Sequence, residues 1–159
     1  MTTKILTALM ALALPTAALA QAGDLQITDS FARSSNPRTG AAYLTIHNAG
    51  PEACTLSAVT TPITDNAELH TSREDADGLM QMVPLEDGIT IAAGADHMLA
   101  RGGDHIMLMG LAEPLAEGDE VALTLDFGTC GTVETVAPVD NARMSGADTA
   151  AAHGSGMDH

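Results

Sequence analysis

Two imidazoles and two thioethers, His70, Met82, His105 and Met107, are the side chains of this sequence whose types and spacing could do chemistry together. Thioether sulfur and imidazole nitrogen select copper(I), whereas oxygen-rich sites select calcium, magnesium or manganese. Thioethers have no proton to lose. Imidazoles must be neutral to coordinate, so affinity should fall as acid protonates them. Two His and two Met make a neutral ligand set, suited to a +1 ion. The competing interpretation is packing, because Met is an ordinary filler and a core short of aromatics needs filler. His105 and Met107 are expected to anchor the ion, and His70 and Met82 to complete its shell.

These residues must be positioned by short strands. Between the segments carrying His70 and Met82 lies Glu74-Asp75-Ala76-Asp77-Gly78, which reads as a hairpin loop. A turn centred on Ala76 puts His70 directly opposite Met82, with Cβ atoms roughly 5 Å apart. Met80 projects from the same face, nearer the loop. His105 and Met107 are two apart, so in a strand both point to one face. Met109 continues that face, and Ile106 and Leu108 point to the other. Arg101-Gly102-Gly103 reads as a flexible turn just before. Spacing alone does not show that the two pairs converge.

Alternation of apolar and polar residues runs through the rest. It marks strands at residues 25–28, 42–47, 54–59, 67–70, 79–83, 89–91, 105–109, 121–127 and 133–136. Gly, Pro, Asn and Asp separate them, and no long helical stripe occurs outside the first twenty residues. The expected fold is all-β, a Greek-key sandwich or barrel. His97-Met98 reads as part of a connection. His47 and His97 read as structural or solvent-facing, since neither has a partner at ligand spacing.

Residues 1–20 read as a cleavable export signal. Lys4 is the positive region, Ile5 to Leu14 the apolar run, and Ala18-Leu19-Ala20 the cleavage site. That run is too short to span a bilayer, which needs roughly 20 residues, and no later segment is apolar enough. A periplasmic location follows. Cys54 and Cys130 are the only cysteines. In an oxidising compartment, and without a C-x-x-C, they are expected to form a disulfide. Residues 21–140 form one domain. Residues 141–159 are Ala, Gly, Ser, Asp, Met and His with little else, a composition expected of a disordered tail. Met80, Met109, His153, Met157 and His159 form a secondary set of candidate metal ligands, with the tail suited to Cu(II) through its imidazoles.

Composition excludes several classes. A net charge of −15, from 21 acidic against 6 basic residues, leaves no basic patch for nucleic acid or anionic lipid. No G-x-S-x-G, H-E-x-x-H or Gly-rich phosphate loop is present, so an enzyme is not expected.

The combined pattern resembles the PCuAC-type periplasmic copper chaperones. Their signature is a His, a Met roughly ten residues on, and a His-x-Met roughly twenty further on. Here these fall on His70, Met82, His105 and Met107. The surrounding text also fits, in Ala42-Tyr43-Leu44-Thr45-Ile46, in Gly78-Leu79-Met80-Gln81-Met82 and in Gly103-Asp104-His105-Ile106-Met107-Leu108-Met109-Gly110. The first spacer is about one residue longer than usual, and the cysteine pair is outside the common signature. The resemblance implies a cupredoxin-like β-sandwich with an exposed Cu(I) site. It also implies delivery by ligand exchange to a copper-accepting protein, such as subunit II of cytochrome c oxidase during assembly of its CuA centre, or another assembly chaperone. Copper sequestration, and a partner-binding module without metal, are the other two functions to be tested.

Overall fold

The computed structural model describes residues 23–143. The large sheet contains β1 (Leu25–Asn36), β2 (Thr39–Asn48), β5 (Asn66–Glu74), β6 (Met80–Pro84), β8 (Asp96–Leu99) and β9 (Asp104–Met109). Its order is β1-β2-β9-β5-β6, with β8 also paired to β2. The first half of β2 pairs with β9 and its second half with β8, so β8 and β9 share one edge of β2. The opposing layer holds β4 (Ala58–Thr60), β10 (Glu120–Asp126) and β11 (Thr132–Pro138), in the order β11-β10-β4. A third, two-stranded sheet joins β3 (Cys54–Leu56) to β7 (Ile89–Ile91). Among the described residues there is no α-helix, only a 3-10 turn at Gly128–Cys130. The all-β sandwich expected from alternation is the observed fold.

The core lies between the layers because each strand alternates. Leu44, Ile46, Leu69, Ile106 and Leu108 of the large sheet meet Val59, Val121, Leu123 and Leu125 of the smaller one, and Leu56 and Ile91 close the side. Burying each such side chain contributes about 1.5–3 kcal/mol before its entropy cost. The opposite face of the large sheet therefore carries residues of the other parity, including His70, His105 and Met107. This outer face holds a small apolar cluster of its own, Phe31, Ala41 and Tyr43.

Three local expectations differ from the fold. β1 runs eight residues past Thr28, because an irregularity between Thr28 and Phe31, with Asp29 at φ 52°, shifts its alternation. Residues 54–59 are two strands in two different sheets rather than one. Residues 96–99 are a strand, not a connection, since β8 completes the hydrogen bonding of β2.

The disulfide expected between Cys54 and Cys130 is present, with Cα atoms 5.9 Å apart across a sequence separation of 76 residues. It joins β3 to the 3-10 turn, in the part of the molecule where buried Asn48 ends β2. The Asn48 amide donates to the carbonyls of Glu52 at 2.7 Å and Ile91 at 3.1 Å.

Candidate metal centre

The hairpin register is not the expected one. His70 lies opposite Pro84, and Met82 lies opposite Ser72. The loop centres on Asp77 instead of Ala76: beyond the last strand pair the Asp75 N–H donates to the Leu79 carbonyl at 2.9 Å, leaving a three-residue loop, 76–78, in which Gly78 takes the left-handed conformation (φ 79°). Moving the centre by one residue moves each pairing by two, so the side-chain face is conserved. His70, Ser72, Met80 and Met82 all remain on the outer face, with Met82 diagonal to His70.

The direct partner of His70 is His105, opposite it across β5 and β9. Their ring centroids are 6.2 Å apart, a gap that one ion with metal–nitrogen bonds of about 2 Å on each side can bridge. Two further rings extend the row. Tyr43 lies 6.4 Å from His105, and Phe31 lies 5.1 Å from Tyr43. Both imidazoles are buried, His70 at 8% and His105 at 3% exposure, whereas Met82 is 57% exposed. Met82, His105 and Met107 line one open cleft of about 350 Å³, together with Tyr43, Ser72 and Arg101. The two pairs of candidate ligands are thus brought to one face. The site exposes its sulfur on β6 and encloses its nitrogens.

Hydrogen bonds fix which nitrogen of each ring is available. His105 Nδ1 lies 3.1 Å from the carbonyl of Gly103. A carbonyl only accepts, so Nδ1 carries the proton and the lone pair of the neutral ring is on Nε2. His70 Nε2 lies 3.0 Å from a carboxylate oxygen of Glu68. There Nε2 donates, and Nδ1 holds the lone pair. His70 Nδ1 and His105 Nε2 are both buried and without a hydrogen-bond partner; among the described residues Arg33 Nε and Thr61 Oγ1 share that condition. An unsatisfied buried polar atom costs about 1–3 kcal/mol, a cost that one ligand shared by both rings would remove. Glu68 and the Gly103 carbonyl hold the two rings in the way that orienting groups hold metal-ligating histidines in general. Sequence spacing did not single out either, although Glu68 sits two residues before His70, the separation that puts both on one face of a strand.

The remaining candidates are placed as follows. Met80, opposite Glu74, and Met109, opposite Asn66, lie on the outer face beyond Met82 and Met107. Neither lines the cleft. His47 pairs with Asp96, and His97 Nε2 lies 2.9 Å from Asp104. Among the described residues no three His, Cys, Asp or Glu side chains cluster to hold a metal ion, so a site here depends on sulfur. His153, Met157, His159 and residues 1–20 lie outside the described residues. Of the segment expected as a tail, residues 141–143 are described and are held against β1. Ser34 N–H donates to Asn141 at 2.7 Å, and the Arg143 guanidinium stacks 4.4 Å from the centre of the Phe31 ring.

Asp75 organises the hairpin that carries Met82. Its carboxylate accepts from the N–H groups of Leu79 at 3.0 Å and Asp77 at 2.9 Å, and from Gln81 Nε2 at 2.6 Å. The Leu79 bond first, then the Asp77 bond, hold this carboxyl below the usual carboxylate range. A depressed folded value means that its contribution to loop order is full above the usual range and is lost as the pH falls through the lowered value. Amide protection at Asp77 and Leu79 is therefore expected to drop in strong acid, and to be low at neutral pH in Asp75→Ala. Protection that survives both changes would show that another group orders the loop.

The fold is shared with PCuAC-type domains. The solution structure of apo-DR1885 from Deinococcus radiodurans is 30% identical, with TM-score 0.56 over 89% of this chain and 99% of that one. Its CuI form matches at 30% identity and TM-score 0.52, over 74% and 80%. The copper-bound PCuAC domain from PmoF2 aligns with TM-score 0.60 over 74% and 93%, and at 19% identity it attests the fold alone. In sequence, residues 25–139 match the family described as "Putative lipoprotein LpqE-like", and the chain belongs to this LpqE-like family. A curated relative, "Putative lipoprotein Lxx21020" of Leifsonia xyli subsp. xyli (strain CTCB07), is 30% identical over 128 residues, covering 80% of this chain and 75% of that protein.

Proposed function

We propose that this protein is an exported, non-enzymatic copper(I) carrier. It holds the ion between His70 Nδ1, His105 Nε2 and the thioethers of Met107 and Met82, and passes it on by ligand exchange. The observation that carries this reading is the pair of buried, unpartnered ring nitrogens on adjacent strands, with two sulfurs beside them on the same face. Their chemistry suits a soft monovalent ion. The similarity to DR1885, solved in a CuI form, supports the same cargo. The lipoprotein names of the relatives support export, as does the disulfide. In this chain both cysteines are held in that disulfide, so neither is free to take a lipid.

The domain division follows the same reading: a signal over residues 1–20, the copper domain over 21–140 and a His/Met tail over 141–159. Exchange begins at Met82, whose exposure lets an acceptor's donor approach while the imidazoles still hold. A cytochrome c oxidase subunit II assembling its CuA centre, or another assembly chaperone, is the acceptor that this chemistry serves.

A competitive Cu(I) titration of the mature protein tests the carrier. One equivalent should bind in the folded domain and be removed by a stronger chelator. No uptake above that of a His70→Ala/His105→Ala control would refute the reading. Deleting residues 145–159 should lower the total copper bound while leaving that equivalent in place. If the total is unchanged, the tail is no site.

A further inference from the structure

Six basic residues stand against 21 acidic ones in this chain, yet two of the six, Arg33 and Arg101, line the cleft that contains Met82, His105 and Met107. Register ties Arg33 to the site. It lies opposite Ala41, and Ala41 lies opposite Met107. Two strand spacings are about 10 Å, within the reach of an arginine side chain lying across the sheet. Arg33 Nε is buried without a hydrogen-bond partner, so part of this cationic group is kept in the wall of the cleft. Arg101 enters from the turn before β9. Glu68, opposite Met107 on the other side, offsets part of this charge and is bonded to His70.

Cationic groups beside a cation site oppose binding, and the opposition scales with the charge of the ion. Imidazoles accept either oxidation state of copper, so the two nitrogens alone would not exclude Cu(II). On the copper reading above, on which this inference rests, we propose that Arg33 and Arg101 make the cleft selective for a monovalent over a divalent ion and hold the bound copper in its reduced state. Each guanidinium repels Cu(II) by one unit charge more than Cu(I). For Arg33, at about 10 Å and an effective dielectric of about 20, that difference is about a tenfold change in relative affinity; Arg101 is exposed, so solvent and salt screen its field and its effect is smaller. The thioethers favour Cu(I) through bonding. The arginines favour it through their field, in a molecule whose overall charge would otherwise attract divalent ions.

The test is the reduction potential of the copper-loaded mature protein, measured for wild type, Arg33→Gln, Arg101→Gln and Arg33→Lys. Each Gln variant should bind one Cu(I) equivalent; Arg33→Gln should show a potential lower by about 60 mV, the tenfold shift for one electron, and Arg101→Gln a smaller fall in the same direction. Arg33→Lys keeps the charge and should stay near wild type. Unchanged potentials in both Gln variants, with Cu(I) still bound, overturn the proposal. So does a fall in Arg33→Lys as large as in Arg33→Gln, which would assign the effect to packing. Failure of the wild type to bind Cu(I) would instead overturn the copper reading itself.

Discussion

Truncation of His105 to alanine is expected to lower copper(I) affinity by more than about 100-fold, beyond the 10–100-fold that loss of a group merely orienting a metal ligand produces. His105 is the most enclosed member of the constellation. Its Nδ1 is committed to the Gly103 carbonyl, so Nε2 has one direction in which to offer its lone pair. Its strand is interior, flanked by β2 and β5, so the backbone that carries the donor is held on both sides. Because the ring is buried, the alanine variant also leaves a void, and lost affinity could be blamed on lost structure. Met107→Leu separates the two. It conserves volume at a cost below about 1.5 kcal/mol while deleting the sulfur, and its copper(I) affinity should fall with little change in melting temperature. Competition titration beside thermal denaturation reads both quantities. Wild-type affinity in either variant would remove that residue from the site.

Removal of the Cys54–Cys130 bridge is expected to have the largest effect on stability. The bridge closes a loop of 76 residues' separation, which in the chain-entropy model stabilises the fold by about 4 kcal/mol. For a domain of this size that corresponds to a melting point lower by roughly 10–20 °C. The effect should appear in a Cys54→Ala/Cys130→Ala variant and in the reduced wild type. The bridge lies where β3 meets the 3-10 turn, away from the face that carries His70 and His105, so copper(I) affinity below the new melting point should be retained. A melting point within about 2 °C of wild type would mean that the unfolded chain is not restrained as the model assumes.

Much of this architecture was legible in period-two alternation, because a residue's parity decides whether it faces the core. Parity alone put His105 and Met107 opposite Ile106 and Leu108. It also protected the hairpin reading from its error. The pairing of His70 with Met82 was wrong by two residues, yet the face was right, since only an odd slip turns a side chain over. The signal that would have corrected it is Gly78 at the last position of a three-residue loop. The partnership of His70 with His105 was not readable, because β5 and β9 are far apart in sequence and no local feature encodes long-range register. The second half of β1 was hidden by its irregularity near Asp29. β8 was hidden because Asp96-His97-Met98-Leu99 has no pattern of its own and becomes a strand through the free edge of β2. Glu68 was passed over among 21 acidic residues, since only the folded sheet shows which carboxylate touches an imidazole.

β6 ends the large sheet and is hydrogen-bonded on one side only, whereas β5 and β9 are clamped on both. Boundary strands open at lower free energy than interior ones. On the copper reading, the four candidate donors are therefore not equally anchored. The thioether of Met82 on the edge strand would depart while His70, His105 and Met107 on interior strands stay in place, which prescribes a sequence of departures. The cargo would become three-coordinate, left on His70, His105 and Met107, before a recipient completes its own shell, and unloading would proceed from the periphery inward.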